Sequence, residues 1–148
     1  MPALSNDDRI FWEQNGYVVI HDAVPPENVV AAREAIYAFA DMDPADPDSW
    51  YSDPPRSSIM VEIYHHQALW DNRQHPRVYH AFSEILDTKK LWVSFDRTSI
   101  NPPVRHDFPF YGKLHFDIPL TLPIPIHLQG ILYLTDCAES QGAFSCVP

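Results

Sequence analysis

The chain has 148 residues, 45% of them hydrophobic and 13% aromatic, which is the composition of one folded domain with a single core and not of a disordered segment. Twenty acidic residues against ten basic ones give a net charge of −10, and no Lys/Arg cluster is present to neutralise phosphates, so neither a nucleic acid nor an anionic membrane surface is an expected partner. No apolar run approaches the roughly 20 residues that span a bilayer, and the acidic N-terminus (Asp7, Asp8, Glu13) lacks a signal pattern, which makes the cytoplasm the default expectation.

Ser5-Asn6-Asp7-Asp8 has the chemistry of a helix N-cap followed by first-turn acids, and Gly16 that of a C-terminal stop. The short helix between them is expected to turn Ile10 and Phe11 inward. Tyr17 to Ile20, aromatic and β-branched, reads as a strand. Pro25-Pro26-Glu27 opens a second helix, with Val29, Ala32, Ile36 and Phe39 at helical spacing on its apolar face. Residues 43–57 form a polar, proline-broken loop. Further helical patterns run from His65 to Asn72 and from His75 to Asp87, the latter with Val78, Phe82, Ile85 and Leu86 on one face.

After Lys90 the pattern changes. Leu91 to Asn101, Leu114 to Ile118, Gln129 to Thr135 and Ala143 to Val147 read as strands, with a hairpin-type connection over Asp136 to Gly142. Helices followed by successive strands predict an α+β domain over residues 1–148, a helical buttress to about residue 89 and a sheet from about residue 90. The 15 prolines gather between these segments as stiff connections. Four or five strands are too few for a closed jelly roll, which needs about eight.

His115-Phe116-Asp117 carries the chemistry. Alternate residues of an extended segment share a face, so an imidazole and a carboxylate can converge on one ion. Two such ligands and a third from elsewhere make the facial triad of non-haem iron(II) oxygenases. By itself the motif is weak, because eight histidines and 14 aspartates produce a His-x-Asp about 0.8 times by chance. On the motif alone the simpler reading is a hydrogen-bonded structural pair.

Its context resembles the phytanoyl-CoA dioxygenase family from end to end. FWEQNGYVVIHDAVPPENVVAAREAI resembles the family's helix, "GY-hydrophobic" strand and second helix. LWVSFDRTSINPP resembles the strand ending in a Pro-Pro pair, LHFD stands at the place of the His-x-Asp, and QGILYLTDCAESQGAFSCVP resembles the following hairpin. The resemblance implies a partial double-stranded β-helix (jelly roll, cupin-like) buttressed by the N-terminal helices, iron(II) as cofactor, 2-oxoglutarate as co-substrate and hydroxylation of a small organic molecule. It also implies His115 and Asp117 as the first two metal ligands, and Arg97, Gln129 and Ile131 as lining of the 2-oxoglutarate pocket. Three departures stand against the pattern. The distal histidine ligand and the arginine that clamps 2-oxoglutarate belong beyond Pro148, so the chain reads as a truncated domain lacking its C-terminal strands. Phe116, moreover, cannot donate a hydrogen bond as a glutamine does in some relatives.

Other residues give weaker signals. Glu62 is a candidate for the substrate entrance. His106-Asp107 reads as a solvated turn cap or as part of a loop covering the substrate. His65-His66 lies on a predicted helix, where adjacent side chains diverge, and one buried, hydrogen-bonded histidine is the simpler reading. His127 reads as structural, and a cupin-like site built on it fits the spacing poorly. Trp70, Trp92 and Tyr133 are expected in the core. Cys137 and Cys146 are expected as free buried thiols, with a disulfide across a hairpin as the alternative. A rival to catalysis is a fragment or pseudoenzyme that keeps the fold as a binding or assembly module, with open sheet edges available for homo-oligomers.

Overall fold

A computed structural model describes residues 2–51, 58–94, 97–109, 112–124 and 127–147. Four helices make up the first layer: α1 (Asn6–Asn15), α2 (Pro26–Ala40), α3 (Gln67–Arg73) and α4 (Pro76–Ile85). Local chemistry sets their ends. Ser5 caps α1 through a reciprocal capping box with Asp8, and Gly16 closes it at φ +72°, its N–H donating to the Trp12 carbonyl. Proline stands in the first turn of both α2 and α4, where the missing N–H costs nothing. The His66 imidazole accepts from the Ala68 N–H at the start of α3, so His66 is an exposed cap and not a buried core histidine.

The core lies where α2 and α3 meet a short antiparallel pair, β1 (Met60–Val61) and β2 (Thr98–Ser99), in the register Met60↔Ser99 and Val61↔Thr98. Ala32, Ala35 and Ile36 of α2 pack with Val61, Ile63, Ala68 and Leu69, and Ile100 and Leu134 close the cluster. Small residues on α2 permit close helix approach. Asn72 stitches the layer by donating to the carbonyls of Ala68 and Asn28.

Several expectations are corrected here. Ile10 and Phe11 are 52% and 41% exposed, because α1 buries no residue and is held by polar contacts to α4. Phe39 at the end of α2 is exposed as well. Tyr17–Ile20 is irregular, and the segments around Leu114–Ile118, Gln129–Thr135 and Ala143–Val147 are not in any ladder. Of Leu91–Asn101 only Thr98–Ser99 is strand, and residues 95 and 96 lie outside the described residues, as do residues 52–57 of the loop expected over 43–57. The connection over 136–142 is a 3₁₀ turn at Glu139–Gln141 closed by Gly142 at φ +76°, not a hairpin.

Among the described residues the sheet therefore has two strands; helices with a small antiparallel sheet are compatible with a partial fold, and a double-stranded β-helix is not seen among these residues. A strand is defined by a partner that accepts its N–H and C=O groups, and alternating side chains alone do not provide one. The same lack of cover leaves Trp92 and Tyr133, expected in the core, 93% and 47% exposed, while Trp70 is half-buried beneath the Arg73 guanidinium. Both cysteines are free thiols, Cys137 half-buried and Cys146 exposed instead of buried. No helix among the described residues is long and apolar enough to cross a membrane.

Candidate metal centre

Two loops of the C-terminal half meet at His115 and Asp117. The segment preceding them in the chain, 103–108, is braced from the helical side. The Tyr51 hydroxyl donates to the Pro103 carbonyl at 2.7 Å, and the Arg105 guanidinium stacks on the Tyr51 ring while pairing with Asp48. Phe108, buried, meets the Tyr51 ring edge-to-face, and Arg105 and Phe108 exchange backbone hydrogen bonds around a turn whose tip is His106-Asp107. Nothing in the sequence marked Tyr51, Asp48 and Arg105 as a unit, since they join segments far apart in the chain. His106 is exposed at that tip, as expected of a turn.

The Lys113 carbonyl lies 2.6 Å from His115 Nδ1. A carbonyl only accepts, so Nδ1 carries a proton, and in the neutral ring Nε2 keeps its lone pair. That Nε2 faces Asp117 Oδ1 at 3.1 Å. The other carboxylate oxygen, Oδ2, is taken by the Gln129 side-chain amide, whose Nε2 donates at 2.9 Å. The imidazole and carboxylate thus converge on one side of the backbone. In the neutral form two lone pairs confront each other, and a positive centre between them relieves that repulsion. A second proton is one such centre. Accordingly, the Lys113 carbonyl first and the Asp117 charge second hold the His115 imidazole above the usual histidine range.

A divalent cation is the other. Two ligand atoms each about 2.1 Å from one ion, in neighbouring positions at right angles, lie about 3 Å apart, which is the separation found here. The donor set, one imidazole nitrogen and one carboxylate oxygen, suits a first-row divalent ion. Among the described residues no group of three His, Cys, Asp or Glu side chains comes together, so the pair supplies two ligands.

The remaining sequence candidates lie elsewhere in the fold. Continued by one residue, the β1–β2 register sets Glu62 opposite Arg97 at the end of the ladder, both exposed. Ile131 is 61% exposed and His127 is exposed. His65 is exposed beside the α3 cap.

Comparison with known proteins gives the family. A curated protein of Aspergillus versicolor, "Ava biosynthesis cluster protein O", is 28% identical over 121 residues, covering 75% of this chain. The chain spans only 39% of that relative's length. No solved structure gives a significant match. The family model for phytanoyl-CoA dioxygenase (PhyH) matches residues 12–148, from the end of α1 through the His-x-Asp to the last residue, and the chain belongs to that family.

Proposed function

We propose that this chain contributes the first two metal-binding side chains of an iron(II)- and 2-oxoglutarate-dependent oxygenase that hydroxylates a small organic molecule. The family is generally one of iron(II)/2-oxoglutarate oxygenases, which supports this reaction class. The observation that carries the reading to these residues is the 3.1 Å approach of His115 Nε2 to Asp117 Oδ1, with Nδ1 committed to the Lys113 carbonyl. When bound, iron(II) with dioxygen and 2-oxoglutarate supplies the oxidising power for C–H hydroxylation, and 2-oxoglutarate ends as succinate and carbon dioxide. The protein's part is orientation. Lys113 fixes the His115 tautomer by accepting from Nδ1.

The third ligand and the arginine for the distal carboxylate of 2-oxoglutarate would come from polypeptide corresponding to the part of the fungal relative that this chain does not span. Arg97, Gln129 and Ile131 as lining of the co-substrate pocket, and Glu62 and His106 toward the substrate, complete the proposal. The test is iron(II)-dependent release of succinate from 2-oxoglutarate by the complete polypeptide. His115→Ala and Asp117→Ala are each expected to lower it by at least a hundredfold. Turnover undiminished in both variants would overturn the ligand assignment.

A second reading, a non-catalytic binding or assembly module, draws on the two-ligand set and on the uncovered apolar surface of the C-terminal half. It predicts no succinate release from the complete polypeptide at saturating iron(II).

A further inference from the structure

Asp117 has two carboxylate oxygens, and nothing intrinsic to an exposed aspartate selects one of them. Rotation about its last side-chain bond interconverts them, and it also permits both to chelate one ion. In this fold the choice is made. Gln129 Nε2 donates to Oδ2 at 2.9 Å, and Oδ1 is the atom left facing His115 Nε2. A carboxylate only accepts, so it is the amide NH₂ of Gln129, and not its carbonyl, that faces Asp117.

The backbone carrying Gln129 runs close to α4. At the next residue, Gly130, an added Cβ would stand 3.0 Å from Cζ and 3.3 Å from Cε2 of the Phe82 ring on α4. The absence of a side chain there lets the 129–130 backbone lie against the helix at a separation no other residue allows without moving the ring. A continuous path of contacts then runs from α4 through Phe82, Gly130 and Gln129 to Asp117.

We infer that Gln129 is a positioning residue for Asp117: by holding Oδ2 it presents Oδ1 as a single-oxygen ligand beside His115, and the bare Cα of Gly130 leaves room for that placement beside Phe82. This rests on the reading of His115 and Asp117 as metal ligands, but assigns Gln129 a task separate from lining a co-substrate pocket. Hydrogen-bond partners of metal ligands generally change metal affinity by about 10- to 100-fold.

Cobalt(II) serves as the probe, because its absorption spectrum reports ligand number and geometry without turnover. In the complete polypeptide, without 2-oxoglutarate, Gln129→Leu is expected to weaken cobalt(II) binding about tenfold and to alter the visible spectrum. In an Asp117→Ala background the same substitution is expected to change nothing further, since the residue it positions is gone. Gln129→Asn, one methylene shorter, is expected to act in the same direction, and it decides the matter should the leucine variant not fold. If the Gln129 variants keep wild-type affinity and spectrum while His115→Ala loses binding, the positioning role is overturned and the ligand reading stands. Equal weakening by Gln129→Leu with and without Asp117 also overturns it. Wild-type cobalt(II) affinity in His115→Ala would overturn the ligand reading itself and the inference with it.

Discussion

At the scale of single residues, the site depends on a hydrogen bond that no motif encodes. His115 can present Nε2 because a backbone carbonyl, that of Lys113, takes the proton-bearing Nδ1. The same contact, with Asp117 next in weight, raises the imidazole's affinity for a second proton. That proton occupies the position a metal would take, so metal must displace it. Because the pKa is raised, the protonated ring persists to higher pH than in an ordinary histidine. Zinc(II) affinity is therefore expected to climb about tenfold per pH unit below the raised pKa and to level off above it. Calorimetric titrations across pH 5.5–8.5 check this, and affinity that is flat or falls with pH over the lower part of that range contradicts it. The His115/Asp117 pair was singled out in the sequence by the family resemblance, since the His-x-Asp spacing alone is weak. Its Lys113 and Gln129 partners were not, since one acts through backbone and the other was read only as a neighbour of the co-substrate.

At the scale of elements, the helices were legible and the strands were not, for one physical reason. A helix satisfies its backbone within a dozen residues, so Ser5, Gly16 and Pro26 announce its ends. A strand is satisfied by another segment, and Leu114–Ile118 carries no mark of whether that segment is present. What the sequence also did not reveal is how α1 is held. Its sequence suggested Ile10 and Phe11 as anchors, yet the tie is Glu84 on α4, which accepts from the Ala3 and Leu4 amides and pairs with Arg9. Burial works to raise the Glu84 carboxyl, but the two amides and the charges of Arg9 and His80 outweigh it and hold it below the usual carboxylate value. A depressed pKa contributes stability above the unfolded value of 4.5, and that stability is lost as pH falls through the folded value below it. Glu84→Gln is expected to cost about 1–3 kcal/mol at pH 7. Thermal melts at pH 7 and at pH 3 check the sign. The gap between wild type and variant narrows at the lower pH, and a gap that widens there refutes the role assigned to Glu84.

At the scale of the whole molecule, the chain exposes 11311 Å², whereas a compact monomer of 17.0 kDa exposes about 7,700 Å². Exposed large apolar side chains gather after residue 90, where Trp92, Leu114, Phe116, Leu122 and Val147 are each more than 65% exposed. Surfaces of that kind mark interfaces awaiting a partner layer. The isolated 148-residue chain is accordingly expected to self-associate at micromolar concentration. Light scattering that finds a monodisperse monomer there would show that the apolar face is tolerated in water. The composition could not foretell this exposure. A tryptophan such as Trp92 is expected inside, and which layer covers it is decided by polypeptide far away in sequence.

The central claim is that the His115 imidazole and the Asp117 carboxylate grip one divalent ion through Nε2 and Oδ1. Nitrogen-15 spectra of the histidine side chains, recorded on the complete polypeptide as zinc(II) is added as a diamagnetic stand-in, test it most directly. His115 Nε2 is expected to move to the shift of a metal-bound nitrogen while Nδ1 stays protonated, and the movement is expected to vanish in Asp117→Ala. A zinc-induced shift at Nδ1 instead, or a saturating zinc titration that leaves the His115 resonances in place, would contradict it.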